Sequence, residues 1–175
     1  MKILLYVFIL FAATFVGVYI FGYTLEPVRS GTSSKECEAP AKDVLATMLD
    51  VESQPKWRKG LASVQRTNES SGWVEKTQQG EEITFSLIDA NDRSVSMSFV
   101  SDRGYSGKWR AELVPQSTTR TKITAKEEVT VESPIGRVVS RLLFDPEEFA
   151  SSYLSQWCSE TSIRPSPPAG RRSPW

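Results

Sequence analysis

The sequence predicts an α+β domain behind a single apolar N-terminal helix, and three observations carry that reading. Between Glu81 and Val131 apolar and polar residues alternate in successive runs: Ile83, Phe85 and Leu87; Val95, Met97 and Phe99; Trp109, Ala111 and Leu113; then Ile123, Ala125, Val129 and Val131. A period of two with one polar face is the pattern of an antiparallel sheet that is solvated on one side. After Ser133-Pro134 the period changes. Ile135, Val138, Val139, Leu142 and Leu143 fall on one helical face, and Phe149, Tyr153 and Trp157 follow four apart, so helices are available to cover the apolar side of the sheet. Finally, Ile3 to Tyr23 contains no charge and would be about 30 Å long as a helix, the thickness of a hydrocarbon core.

A cleaved signal peptide would need a shorter apolar region followed by small residues. Ala12-Ala13 comes too early for that and Ile20-Phe21-Gly22 is a poor cleavage site, so residues 1–23 read as an uncleaved, single-pass signal anchor. Tyr19, Phe21 and Tyr23 suit an interfacial belt. Lys2 on one side and Arg29 and Lys35 on the other nearly balance the charge rule; the very short N-terminal flank favours the N-terminus inside and the domain on the extracytoplasmic side. Residues 24–31, with Pro27 and Gly31, read as a tether, and a chain beginning near Gly31 is expected to be soluble.

The chain has 175 residues, 39% hydrophobic and 24% charged, enough for one core once the ends are set aside. The formal net charge is zero, but Lys35 to Glu160 holds 16 basic and 20 acidic residues, so the folded part lacks a basic surface for tracking nucleic acid. With no histidine, a zinc site or a His-based catalytic triad is excluded, and no metal or cofactor is expected. Cys37 and Cys158 lie near the two ends of the globular segment, where they either close a disulfide, as an exported domain permits, or remain two unrelated thiols.

In chain order, Thr32 to Glu38 reads as a polar first strand. Ala39-Pro40 opens a helix on which Val44, Leu45, Met48 and Leu49 lie together. Val51 to Trp57 is a short irregular or single-turn segment in which Pro55 fixes the backbone. Strands at Gly60–Thr67 and Trp73–Gln78 are separated by a hairpin-like turn, and further breaks fall at Gln79-Gly80, 89–92, 102–104 and 115–118, the spacing of a meander. Asp145-Pro146 starts the last helical segment, with the acid at the N-cap and Pro at N1. The domain is taken as residues 32–160. Residues 161–175, with Arg164, Arg171 and Arg172 among prolines, read as a disordered basic tail.

The stretch Ala39-Pro40-Ala41-Lys42-Asp43-Val44 leading to Asp50, then Pro55-Lys56-Trp57, Ser101-Asp102-Arg103-Gly104 before Gly107-Lys108-Trp109, Thr119-Arg120-Thr121, Pro134 and Arg141-Leu142-Leu143-Phe144 together resemble the START-like, or SRPBCC, superfamily. Within it the likeness is to polyketide cyclase/dehydrase-like and coenzyme-Q-binding-like proteins, over about residues 32 to 158. The resemblance implies a helix-grip fold, a curved antiparallel sheet of about seven strands around the C-terminal helix, with an apolar cavity between them. In such a fold Cys37 and Cys158 come within disulfide reach. The unusually polar first strand and the interruption at Asp145-Pro146 depart from the pattern.

Trp57, Phe85, Met97, Phe99, Trp109, Leu113, Leu142 and Tyr153 are the candidate cavity residues, although each is also a natural core residue. Strict alternation from Ile123 to Val131 points Glu127 inward, where an unpaired carboxylate is costly; a bulge at Glu127-Glu128 that turns both acids outward is the favoured alternative. Asp102, Arg103, Tyr105 and Arg120 read as solvated turn and strand residues. No nucleophile pairs with a recognisable base, and Glu127 is the one weak catalytic candidate. The resulting expectation is a membrane-anchored binding protein for a lipid, quinone or polyketide-like molecule. The alternatives are a cyclase/aromatase-like or hydrolytic enzyme, and an interaction domain without ligand; the sequence says nothing of oligomeric state.

Overall fold

The structure is a computed structural model that describes residues 2–68 and 71–163. Helix α1 (Lys2–Thr24) is long and apolar enough to cross a membrane. It leads through three residues into β1 (Val28–Cys37), then α2 (Ala41–Leu49) and a 3-10 turn over Val51–Lys56. Strands β2 (Leu61–Arg66), β3 (Gly72–Thr77), β4 (Glu82–Asn91), β5 (Ser94–Ser101), β6 (Tyr105–Ser117) and β7 (Arg120–Val131) form the meander, and α3 (Pro134–Leu143) and α4 (Pro146–Ile163) complete the chain. The seven strands make one antiparallel sheet in the order β1-β7-β6-β5-β4-β3-β2, so the first strand joins the last and the sheet wraps α4 as a helix-grip fold does.

Several boundaries differ from the sequence reading. The strand expected from Thr32 begins at Val28 and pairs with β7 from Val28↔Thr130 to Cys37↔Thr121, which shortens the connection read as residues 24–31 to Leu25–Pro27. Ladder bonds belong to the backbone, so the polar side chains of Ser30 to Ser34 do not prevent pairing. β4 runs through Asp89 to Asn91 after a register shift, and β6 carries Pro115 as far as Ser117, so both expected breaks shrink to two-residue turns. α4 continues to Ile163, past the point where the tail was expected to start; residues 164–175 lie outside the described residues.

The sheet is filled at one end only. There Leu113, Ile123, Val95, Ala111 and Ala125 are buried against Val44 and Met48 of α2 and Leu154 and Trp157 of α4, with the facing pair Ala111 and Ala125 leaving room for the helix. Trp157 donates its indole N–H to the Val44 carbonyl at 2.9 Å, and Thr121 donates to the Ala39 carbonyl at 2.8 Å, so these two buried groups are satisfied. Gly31 on β1 lies so close to the start of α4 that a Cβ would come within 2.5 Å of the Pro146 backbone; a side chain here would lift the helix from the sheet.

Two arginines fasten the end of the domain next to α1. Arg29 donates to the carbonyls of Ser140 and Phe144 at 2.8 and 2.7 Å, capping the end of α3. Arg137 donates to the carbonyls of Val131, Leu25 and Glu132, joining α3 to the end of β7 and to the connection behind α1. At Gly22 a Cβ would overlap the Pro134 carbonyl, so α1 meets α3 at backbone contact.

Cys37 at the end of β1 and Cys158 on α4 form a disulfide with Cα atoms 4.9 Å apart, closing a sequence separation of 121 residues. Replacing both by serine should lower the unfolding free energy of the full chain by about 4 kcal/mol. Urea unfolding in detergent micelles reads this, and an unchanged midpoint would show that the crosslink does not constrain the unfolded chain.

Candidate ligand-binding site

The other half of the sheet is hollow. Beneath it lies a cavity of about 760 Å³, within the range of small-molecule sites. Alternation along the strands aims Ile83 and Phe85, Met97 and Phe99, Trp109, and Val129 and Val131 into it. Tyr153 and Phe149 of α4 form the opposite wall, with Val139, Leu143 and Phe144 around α3. The exposed members of this lining include an apolar rim of Val139, Leu143 and Phe149 and a polar rim of Lys59, Gln79 and Arg103.

The aromatic walls are mutually supported. Trp73 stacks on Phe85 with centroids 5.3 Å apart, Phe85 meets Phe99 at 5.6 Å, and Trp109 meets Tyr153 edge-on at 5.8 Å. Their contacts hold rings in place around a space that no side chain fills.

The cavity also has a polar floor. Arg58 Nη1 lies 2.8 Å from both Glu75 oxygens, and it donates to Gln54 Oε1 at 2.9 Å. Trp73 Nε1 donates to Glu75 Oε1 at 3.0 Å, and Gln54 Nε2 donates to the Met48 carbonyl. The guanidinium sits 5.1 Å from the Tyr153 ring centre, a cation–π distance. Burial opposes the charge of Arg58, but Glu75 above all outweighs it and the pKa is raised. Removing either partner of such a pair leaves an uncompensated buried charge.

Glu127 has no comparable partner. It sits mid-strand opposite Trp109 and Gly31, without a bulge, so the expected outward turn at Glu127-Glu128 does not occur: β6 and β1 both pair with β7 in register through this point. The residue is 6% exposed, and its Oε2 has no hydrogen-bond partner among the described residues. Burial pushes its carboxyl up to about 7, against the opposing pull of Arg58. Burial likewise raises Tyr153 and, with Glu81 adding to the effect, Tyr105.

Of the expected cavity residues, Phe85, Met97, Phe99, Trp109 and Tyr153 do line it. Leu113 does not: it lies four residues from Trp109 toward the filled end and is buried in the dry core. Leu142 does not line the cavity and is 77% exposed, because Val139 and Leu143 of the same apolar face take the rim and nothing among the described residues covers Leu142 beside them. Trp57 packs against Tyr153 with centroids 6.4 Å apart but stays behind it. Gln54, Arg58 and Glu75 were missed. Glu75 carried a signal, since alternation in β3 buries it beside Trp73, whereas Arg58 lies in a connection with no period to read. Arg103 and Tyr105, read as turn residues, line the cavity; Arg120 is exposed and pairs with Glu38. Among the described residues no three acidic or sulfur side chains are grouped to hold a metal ion.

The raised Glu127 carboxyl makes stability depend on pH. Below about pH 4.5 both folded and unfolded chains hold the proton; between there and about 7 only the unfolded chain releases it, so stability falls as pH rises through this window. The loss contributed by this group is up to about 3 kcal/mol. Glu127→Gln should remove that slope and raise the unfolding midpoint at pH 8, read by denaturant unfolding at pH 5 and 8; equal slopes in both chains would place the proton elsewhere.

The family described as polyketide cyclase/dehydrase and lipid transport matches residues 29–154. No curated protein sequence matches the chain. A START superfamily protein from Mycobacterium smegmatis superposes with a TM-score of 0.63 at 16% identity, covering 76% of this chain and 97% of that one. The Zhui aromatase/cyclase from a Streptomyces species gives 0.61 at 12%, covering 77% and 94%. Norcoclaurine synthase from Thalictrum flavum, in complex with dopamine and hydroxybenzaldehyde, gives 0.63 at 14%, covering 85% and 94%. At these identities the likeness is one of fold. The family match extends over most of the sequence and takes in every strand of the sheet, and the chain belongs to the polyketide cyclase/dehydrase and lipid transport family.

Proposed function

We propose that this chain is a single-pass membrane protein whose domain binds a hydrophobic small molecule, of the lipid, quinone or polyketide kind, taken from the bilayer that holds it. The observation that carries the reading is the position of the cavity's apolar rim: Val139 and Leu143 belong to α3, and α3 is packed on the last turns of the membrane-length helix through Gly22 and Pro134. An apolar ligand leaving the bilayer would meet this rim first, with little exposure to water. The exposed Leu142, at 77%, lies on the same short helix and suits the interfacial region of a membrane.

The domain is proposed to lie on the extracytoplasmic side. The Cys37–Cys158 bridge supports this, since such bonds persist in oxidising compartments. An enzymatic reading of the cyclase/aromatase or hydrolytic kind is favoured by one observation, the burial of Glu127 at the cavity wall, which pushes its carboxyl up to about 7, where proton transfer in either direction is accessible. Under that reading Glu127→Gln abolishes turnover while the aromatic walls keep binding the substrate.

The full chain should resist extraction by alkaline carbonate, and a chain beginning at Glu26, which keeps all of β1, should be soluble and folded. Offered a panel of lipids and quinones, that full chain should retain one or more in native mass spectrometry from detergent. A folded chain that retains none overturns the binding function. Blocking free thiols during lysis of the native membranes should leave Cys37 and Cys158 unmodified; two blocked thiols would put the domain on the reducing side.

A further inference from the structure

We propose that Glu127 is the polar anchor for the cavity's ligand, and that the ligand is an apolar molecule ending in a hydrogen-bond donor, a hydroxyl or a protonated amine, rather than in a carboxylate or phosphate. The inference rests on the binding function proposed above and specifies the chemistry at one end of the ligand.

The polar groups that face the cavity are almost all committed. Arg58 is held by Glu75, by Gln54 and by the Tyr153 ring; Glu75 accepts from Arg58 and from Trp73 Nε1; the Tyr153 hydroxyl lies 2.9 Å from Met48 Sδ. Glu127 differs. It is buried beside Trp109, it borders the cavity, and one of its oxygens has no hydrogen-bond partner among the described residues. Trp57 Nε1 is a buried donor without a partner among the described residues, but it lies behind Tyr153 outside the lining, so the unused capacity of the buried groups that face the cavity is that of an acceptor.

Charge counts in the same direction. The interior between β3 and β7 holds two carboxylates, Glu75 and Glu127, against one guanidinium that is already matched. An anionic head group that reached this interior would lie beside two acids with its one guanidinium already matched, since the other cations of the lining, Lys59 and Arg103, stand out at the exposed polar rim, and losing its hydration there is costly. A hydroxyl or ammonium group supplies the donor that Glu127 lacks, and charge-assisted bonds of this type are the stronger ones. The aromatic faces of Phe85, Phe99 and Trp109 then surround the apolar remainder.

Three photoreactive probes test this, each a saturated chain with a mid-chain diazirine, ending in a primary amine, a hydroxyl or a carboxylate. The full chain in nonionic micelles at pH 8 is irradiated with each, and labelling of peptides from β5 to β7 is quantified. The amine and the hydroxyl should label about tenfold more than the carboxylate, the ratio expected for one charge-assisted bond to a buried group. Glu127→Gln should bring the three within about twofold of each other while the same peptides remain labelled, and Glu127→Asp, which keeps the charge, should preserve the order. Carboxylate labelling equal to that of the amine in the native chain, or an order unchanged in Glu127→Gln, overturns the assignment of Glu127 and leaves cavity binding intact. Labelling by none of the three overturns both.

Discussion

Everything in this domain follows from a mismatch of areas. The strands β3 to β7 present a wide, largely apolar face that water must not reach, and a helix of 18 residues with the short α2 beside it covers only part of it, leaving α3 at the rim of the rest. Where α4 fits closely, over Ala111 and Ala125 and sealed by Trp157, the interior is dry and dense. Toward Val131 and Tyr105 the sheet extends beyond what the helix covers, and large aromatic side chains line the remainder without closing it. The cavity is what is left when a wide sheet is covered by too little helix.

That remainder is stabilised by groups that would be out of place in a solid core. The Arg58–Glu75 pair is worth little as a net source of stability, because two ions must be desolvated to make it. Its effect is positional: with Gln54, Trp73 and Tyr153 it fixes the connection before β2 against α4 at one side of the hollow. Glu127 shows the opposite case, a carboxylate placed by strand register with nothing provided to match it. In a region of low dielectric its ionised form is disfavoured. Sites of this kind are often where a protein meets its ligand.

How far the sequence disclosed this depends on which physical rule governs each residue. The period of two named the inward face of β4 to β7 correctly, because side-chain direction in a strand is fixed by the pleat. It could not separate wall from core. Leu113 and Trp109 share a face and differ only in distance along the strand from the place where α4 stops fitting. The polar strand β1 was seen only in part, since its residues from Val28 are held by backbone pairing that leaves no mark on composition. Leu142 failed for another reason. Helical periodicity identifies an apolar stripe, but α3 covers the rim of a cavity and abuts a membrane-length helix, so apolar residues there need not be buried in the domain. Glu127 was read against its own alternation because an unmatched buried acid is expensive, and here that expense is retained.

The connection between α1 and β1 is three residues, a reach of about 10 Å when extended. Arg137 holds its first carbonyl and Arg29 anchors the strand that follows it. A domain held this way has little rotational freedom about α1. A soluble carrier must find its donor surface and orient against it at every encounter, and the lost translational and rotational freedom is charged to each event. Under the membrane anchoring proposed above, that ordering would occur once, when the chain folds, and a modest intrinsic affinity would suffice, because the short connection would keep the rim at a high effective concentration of bilayer molecules and leave discrimination between them more important than tightness.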